Sequence, residues 1–225
     1  MTPDWHEPVS AVLDAYGLDD VTLLGISLGG CLAIRAAAFE RRVKRVIAFD
    51  AMTDFLACML RQLPPAGARA MQGLLRVRAR WAVNRIFCAV ARRRPVVDWG
   101  LAQAMHVLGS PTPFDVFKTA ATYRTSDISG RVGQDVLLLA GADDHYVPLE
   151  QMWDQAALLT ASRSVTCRVF SRTDDAQAHC QVGNLPLAIG VMVDWLGQAR
   201  GAESFNVRHA MNVNAQTRGR TPATV

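Results

Sequence analysis

Gly25-Ile26-Ser27-Leu28-Gly29-Gly30 stands between an apolar run, Val21 to Leu24, and a helix-forming stretch from Cys31 to Phe39. The order is strand, sharp turn, helix. In a Gly-x-Ser-x-Gly turn of this kind the serine backbone is strained, and glycines flank it because a Cβ would collide. The turn lifts the Ser27 Oγ clear of the sheet, where it can act as a nucleophile. The Leu28 N–H falls at a helix N-terminus, where it can donate to an oxyanion while the helix dipole favours negative charge. With 16 glycines in 225 residues, the pattern arises by chance in about 5% of such chains, so its surroundings must decide. Asp19-Asp20 ends a loop, Val21-Thr22-Leu23-Leu24 reads as a short buried strand, and Cys31-Leu32-Ala33-Ile34 opens an alanine-rich helix ending at Glu40-Arg41-Arg42. The alternative is a glycine-rich turn that only packs a helix closely on its strand, and partners downstream weigh against it.

A serine hydroxyl needs a base, and the base needs an orienting carboxylate; after such a turn the order is acid, then histidine. Val136-Leu137-Leu138-Leu139-Ala140 is the clearest buried-strand run in the chain. It empties into Gly141-Ala142-Asp143-Asp144-His145-Tyr146-Val147-Pro148, which places a carboxylate at the same sheet edge as Ser27. Asp143 and Asp144 compete for the role, and either could be an ordinary turn aspartate. Asp50, after Val46-Ile47-Ala48-Phe49, is a third candidate. A further strand, Ser164 to Phe170, alternates apolar and polar residues and leads through the polar loop Ser171 to Gln177 to His179. Of the five histidines, His6 precedes the first strand, His106 lies in a helical insert, His145 touches the candidate acid and His209 is in a polar tail. Only His179 follows both serine and acid on a loop after a strand.

In the order of its elements from about Val9 to Leu196, the chain resembles the α/β-hydrolases. Gly25 to Gly30 resembles the nucleophile elbow, and Gly141 to Pro148 resembles the family's Gly-x-x-Asp-x-x-Val-Pro acid turn, which selects Asp144 over Asp143. Ala178-His179-Cys180-Gln181-Val182-Gly183-Asn184 resembles the histidine loop of a narrower group that includes the dihydropseudooxynicotine C–C hydrolase and fungal pigment-pathway hydrolases that shorten polyketides. The resemblance implies that Ser27 attacks a carbonyl carbon, that His179 takes the serine proton and returns it to the leaving group, and that Asp144 fixes the imidazole. Water then resolves the acyl-enzyme. Relatives with an aspartate nucleophile (haloalkane dehalogenases, epoxide hydrolases) or a cysteine (dienelactone hydrolases) are disfavoured by Ser27. The expected substrate is a small carbonyl compound, an ester or an activated C–C bond, and no cofactor is expected.

Half the residues are hydrophobic, enough for a single globular core at this length. The five cysteines, Cys31, Cys58, Cys88, Cys167 and Cys180, are odd in number and lack Cys-x-x-Cys spacing, so neither a disulfide framework nor a metal site is suggested and a reducing cytoplasm is expected. Asp4, Glu7 and Asp14 interrupt any secretory signal near Met1, and no segment approaches the ~20 apolar residues of a membrane span.

The expected organisation is an elbow half over 1–54, a helical cap insertion over 55–134, the acid and histidine half over 135–199 and a disordered tail over 200–225. Val9, Val12, Leu13 and Tyr16 fall at helical spacing with Gly17 as a stop. Leu149, Met152, Trp153, Ala156 and Leu159 mark another helix, and Leu185, Ile189, Met192, Val193 and Leu196 a third, all read as core faces. In the insertion, Pro64-Pro65 breaks the first part, Arg69 to Ala91 is helix-forming, and Pro95, Pro111 and Pro113 divide the rest. Trp81, Phe87, Trp99, Met105 and Phe114 either line a substrate pocket or pack within the cap. Arg61, Arg69, Arg76, Arg78, Arg80, Arg85, Arg92, Arg93 and Arg94 occur with no acidic residue between Asp54 and Asp98. That run could dock on an anionic membrane or nucleic acid. A net charge of only +4 and no nucleic-acid fold signature favour a solvated cap face, so neither partner is expected.

Only one helix and no strand precede Val21. The resembled sheet has strands there, and the second oxyanion donor comes from a loop among them. The elbow strand should therefore show an unpaired edge, to be covered by a homo-oligomer or a complementing chain. Met1 looks like an internal start, from a misassigned gene start, a degenerate gene product or a protein completed by another chain. Loss of one oxyanion donor costs on the order of 10²–10³ in rate. The isolated chain is thus expected to be poorly stable and weakly active, with a non-catalytic remnant or interaction module as the alternative reading.

Overall fold

A computed structural model describes residues 1–199; the tail expected over 200–225 lies outside the described residues. Four parallel strands, β1 (Val21–Ile26), β2 (Val43–Phe49), β3 (Asp135–Gly141) and β4 (Ser164–Phe170), pair in the order β1-β2-β3-β4. The strands are those read from the apolar runs, with β3 one residue longer at each end. β2 and β3 are central and covered on both faces, which is why they read as continuous hydrophobic runs rather than alternating ones. β1 forms one edge among the described residues and leaves Leu24 and Ile26 exposed. In register, Ile26 pairs with Phe49, Phe49 with Leu139, and Gly141 with Phe170. Ser27, Asp50, Ala142 and Ser171 therefore all leave the sheet at its carboxyl end, the edge where open α/β sheets gather their ligand-binding loops.

Helices α1 (His6–Tyr16), α2 (Leu28–Ala37) and α8 (Leu149–Leu158) belong to this layer. The core joins Ala33, Ile34 and Ala37 of α2 to Val46 and Ala48 of β2, Val136 and Leu138 of β3, and Met152 of α8. Not every expected core position is inside. In α1, Leu13 is buried and Val9 packs against the core, but Val12 and Tyr16 are exposed because the helix rests on α2 through a narrow stripe. Trp153 of α8 is likewise half exposed. Residues 185–199 are helical and form a unit separate from residues 1–184. There the buried positions are Ala188, Met192 and Trp195, while Leu185, Ile189 and Val193 are exposed. The buried stripe follows i, i+4, i+7 spacing on a face adjacent to the expected one.

Between β2 and β3 stand α3 (Phe55–Arg61), α4 (Pro65–Arg76), α5 (Arg80–Ala91), α6 (Pro95–Leu108) and α7 (Pro113–Ala120). The helix-forming stretch Arg69 to Ala91 is divided between α4 and α5, broken at 77–79, where Arg78 adopts a left-handed φ of 55° that no helix interior accommodates. The insertion leaves and rejoins the core at one place. Phe55 N donates to Tyr123 O at 3.1 Å and Thr125 N to Thr53 O at 3.0 Å, and Asp54 and Arg124 form an antiparallel bridge. The Gln151 side chain of α8 clamps this stem, accepting from Thr53 N (2.8 Å) and Asp54 N (3.0 Å) and donating to Asp54 O (3.0 Å). Four of the insertion's helices, α3, α4, α5 and α7, bury Leu60, Met71, Val83, Phe114 and Phe117 among themselves. All nine arginines of the acid-free run are exposed. Among the described residues, no helix is long and apolar enough to cross a membrane.

Glu40, just past α2, ties the amino-terminal elements together. Its carboxylate accepts from Ser10 Oγ (2.6 Å) and from Arg42 Nη2 (2.7 Å), Nε (3.0 Å) and N (3.0 Å). The Arg42 bonds outweigh burial and hold the carboxyl down to about 2. Because the folded value lies below the ordinary 4.5, the stabilisation is complete above the ordinary value and is lost as pH falls toward the folded one. Glu40→Gln is expected to lower the melting temperature at pH 7 and to flatten its decline below pH ~4.5, as followed by circular dichroism.

Candidate active site

Ser27 sits between β1 and α2 at φ 56°, ψ −121°, a region that a side chain with a Cβ rarely occupies. Two backbone bonds hold it there: Ser27 N donates to Phe49 O at 2.7 Å and Gly30 N to Ser27 O at 2.8 Å. The flanking glycines are physically unequal. A Cβ on Gly25 would fall inside the Gly29 carbonyl, whereas one on Gly29 would meet nothing within 4 Å. The expected collision thus exists on the strand side of the turn and not at Gly29. Leu28 is the first residue of α2, so its N–H is one of the donors that a helix leaves without an internal partner.

The turn after β3 supplies the carboxylate. Asp144 is buried, and its Oδ1 accepts from Tyr146 N (2.7 Å) and Val147 N (3.0 Å), which leaves Oδ2 for His179 Nδ1 at 2.7 Å. Burial pushes this carboxyl up, but the His179 bond and the two N–H donors outweigh it and hold it below the usual carboxylate range. Asp143 instead pairs with the exposed Arg172, its Oδ2 accepting from Nε at 2.6 Å. The imidazole reaches the serine from its other side, with Nε2 3.0 Å from Ser27 Oγ. Burial would lower the His179 pKa; the Asp144 bond, Cys180, and the charges of Asp144 and Asp50 push it instead up to about 10.

Asp50 also reaches this cluster. The first residue beyond β2, it is fully buried at φ 60°. Its Oδ2 lies 3.2 Å from His179 Nδ1 and accepts from Cys180 N, while Oδ1 accepts from Gln181 Nε2 at 2.9 Å. His179 opens a 3-10 turn in which Cys180 (φ 52°) and Gln181 (φ 44°) are both left-handed. The turn lies so close to the end of β3 that a Cβ on Gly141 would collide with the carbonyls of Gln177 and Ala178. That need for glycine was visible in the sequence only as part of the acid turn. Asp50, His179 and Cys180 also hold metal-type ligand atoms within 4.8 Å of one another, but those of Asp50 and His179 already serve the hydrogen bonds just described.

The other histidines lie elsewhere. His6 stacks on Phe39, His106 lies in α6, and His145 stacks on Tyr146 with its ring 6.4 Å from that of His179; His209 is outside the described residues. Of the candidate pocket residues, Trp81 and Trp99 are exposed, Phe87 packs on Phe117, and Phe114 is buried within the insertion. Met105 packs with Leu101 and Ala104 in a cluster that also takes in Leu28, the neighbour of Ser27, and Val147 of the acid turn.

A family profile described as the alpha/beta hydrolase fold matches residues 2–173. The hydrolase LUC6 of a Fusarium species is 28% identical over 220 residues, covering 89% of this chain and 51% of that protein. The hydrolase acrC of Aspergillus aculeatus is 26% identical over 167 residues, covering 67% of this chain and 37% of that one. The chain therefore spans about half the length of the first relative and just over a third of the second. Among solved structures, the 2,6-dihydroxy-pseudo-oxynicotine hydrolase superposes with a TM-score of 0.57 at 20% identity, over 88% of this chain and 47% of that one. A meta-cleavage product hydrolase from Pseudomonas fluorescens IP01 superposes with a TM-score of 0.54 at 18% identity, over 88% and 73%. These likenesses are of fold.

Proposed function

This chain belongs to the alpha/beta hydrolase fold family, and from that premise we propose that it is a serine hydrolase using Ser27, His179 and Asp144 on a carbonyl substrate. The observation that carries the reading is one imidazole bridging the two other groups, 3.0 Å from Ser27 Oγ and 2.7 Å from Asp144 Oδ2. His179 Nε2 takes the hydroxyl proton as Oγ attacks the carbonyl carbon, and the Leu28 N–H receives the developing oxyanion at the positive end of α2. Asp144 keeps the proton on Nδ1, so the accepting nitrogen faces the serine, and stabilises the imidazolium that forms. The same imidazolium protonates the leaving group, and water then releases the acyl group from Ser27. Esters and C–C bonds beside a carbonyl both pass through such an acyl-enzyme. The likeness of the His179 loop to that of C–C hydrolases favours the second substrate class.

A fluorophosphonate probe followed by peptide mass spectrometry tests the mechanism. One adduct, on Ser27, is expected. With the His179 pKa raised to about 10, the proton-accepting form accumulates only as pH rises through that value, so labelling should accelerate from pH 7 through the alkaline range. An unlabelled Ser27, or an adduct at another residue, would overturn the reading. Parallel assays on p-nitrophenyl esters and on a vinylogous 1,5-diketone separate the two substrate classes.

A further inference from the structure

Asp50 has no place in the three-residue arrangement, yet its carboxylate is spent entirely on the histidine turn. Both oxygens point there: Oδ1 accepts from Gln181 Nε2 at 2.9 Å, and Oδ2 accepts from Cys180 N and lies 3.2 Å from His179 Nδ1. A carboxylate with no solvent exposure is costly unless a positive charge offsets it. Cys180 and Gln181 are neutral donors and Asp144 is a like charge, so the group here that can become positive is the imidazole of His179. We propose that Asp50 is a positioning residue, a second carboxylate that sets its charge beside His179 Nδ1, where Asp144 takes the hydrogen bond, and holds the turn carrying the base.

The inference rests on the serine-hydrolase reading, and two features extend it beyond simple packing. First, Nδ1 has two carboxylate oxygens within reach, at 2.7 and 3.2 Å. Asp144 takes the N–H bond and Asp50 adds a second negative charge beside it, and both interactions strengthen when the ring becomes cationic on accepting the serine proton. Second, the backbone just past His179 is held left-handed at two successive side-chain-bearing residues. Such strain persists only where surroundings over-determine it, and Asp50 binds the N–H of one of these residues and the side chain of the other. It is itself placed by the strand pair that places the serine, because Phe49, its neighbour, accepts from Ser27 N. Asp50 thus sets base and nucleophile against a single frame.

The groups facing the imidazole are Asp144, His145 and Tyr146 from the turn after β3, Asp50 from the end of β2, and Cys180 from its own turn. Burial raises the Asp50 pKa, with Asp144 adding to the rise and the Gln181 and Cys180 bonds opposing it. The test is an NMR titration of the His179 Cε1 resonance, assigned by loss in His179→Gln, together with fluorophosphonate rates across pH. In Asp50→Asn the His179 midpoint is expected to fall by about one pH unit, because a neighbouring negative charge is gone. The alkaline labelling rate is expected to fall about 10- to 100-fold. In Asp144→Asn, which leaves Asp50 intact, the midpoint should remain above the ordinary histidine value of ~6.5. A purely structural Asp50 would reduce the labelled fraction and leave the midpoint in place. An unmoved midpoint in Asp50→Asn, or a midpoint at or below the ordinary value in Asp144→Asn, overturns the inference whatever Ser27 does. A wild-type protein that titrates as described but never labels overturns the serine-hydrolase reading instead.

Discussion

Ser27→Ala is expected to remove fluorophosphonate labelling and to reduce any hydrolysis to background, a loss on the order of 10⁴–10⁶ for a serine that acts as one unit with its base. A second substitution at the same position separates the chemistry of the hydroxyl from the strain of the backbone. The Ser27 backbone angles, φ 56° and ψ −121°, are those of the first central residue of a type II′ turn, a position that strongly prefers glycine. A serine held there costs about 1–3 kcal/mol of strain. Ser27→Ala keeps the Cβ and so keeps the strain, and its melting temperature should stay close to wild type. Ser27→Gly removes both hydroxyl and Cβ; it should be equally unreactive yet melt a few degrees higher. A more stable, inert glycine variant would mean that the chain carries serine against its own stability, as chemistry at Oγ requires. If Ser27→Gly melts lower than Ser27→Ala, the strain is absent and the argument from the elbow fails.

The sheet was legible because its central strands are covered on both faces. β2 and β3 read as uninterrupted apolar runs, and even the edge strand β4 kept its alternation. The helical insertion was legible as a length of chain too long for a loop, but not in detail. No residue type announces that Arg78 will turn left-handed and divide Arg69 to Ala91 into two helices. Amphipathic spacing also overstated burial: Tyr16 and Ile189 sit at core-like positions and remain exposed, because spacing reports which face a helix could bury and not how wide a partner it finds. Ser27 and His179 were separable from competitors by their order and by the loops that carry them. Asp143 and Asp144 were not, since two adjacent turn aspartates differ only in which way the turn points them. A likeness to a known turn chose Asp144, and the structure puts that residue, rather than Asp143, against the imidazole. Asp50 stood among the acid candidates, but its closeness to His179 depends on contact between residues 130 apart, which no local pattern encodes.

Gly25→Ala should slow labelling of Ser27 by a factor on the order of 10² or more, although it touches no reacting atom. A Cβ there would occupy the Gly29 carbonyl and crowd Gly30 N. Both obstacles are backbone in the first turn of α2, so neither can step aside as the end of a side chain would. Relief requires the helix start to move away from the strand, which carries Ser27 Oγ off His179 Nε2 and the Leu28 N–H off the oxyanion position. A displacement of about 1 Å at such a site costs on the order of 10² in rate, so labelling of Ser27 should slow at least that much, with a melting temperature several degrees lower. Gly29→Ala is the matched control. The same Cβ at Gly29 meets open space inside a helix where alanine is favoured over glycine by about 1 kcal/mol, so labelling should stay near wild type and the melting temperature should not fall. Labelling rates and thermal melts of the two variants, measured side by side, decide whether the elbow depends on close packing at its strand side. Equal losses in both would mean that any substitution beside the serine is harmful, and equal tolerance that the collision at Gly25 is relieved without moving Ser27.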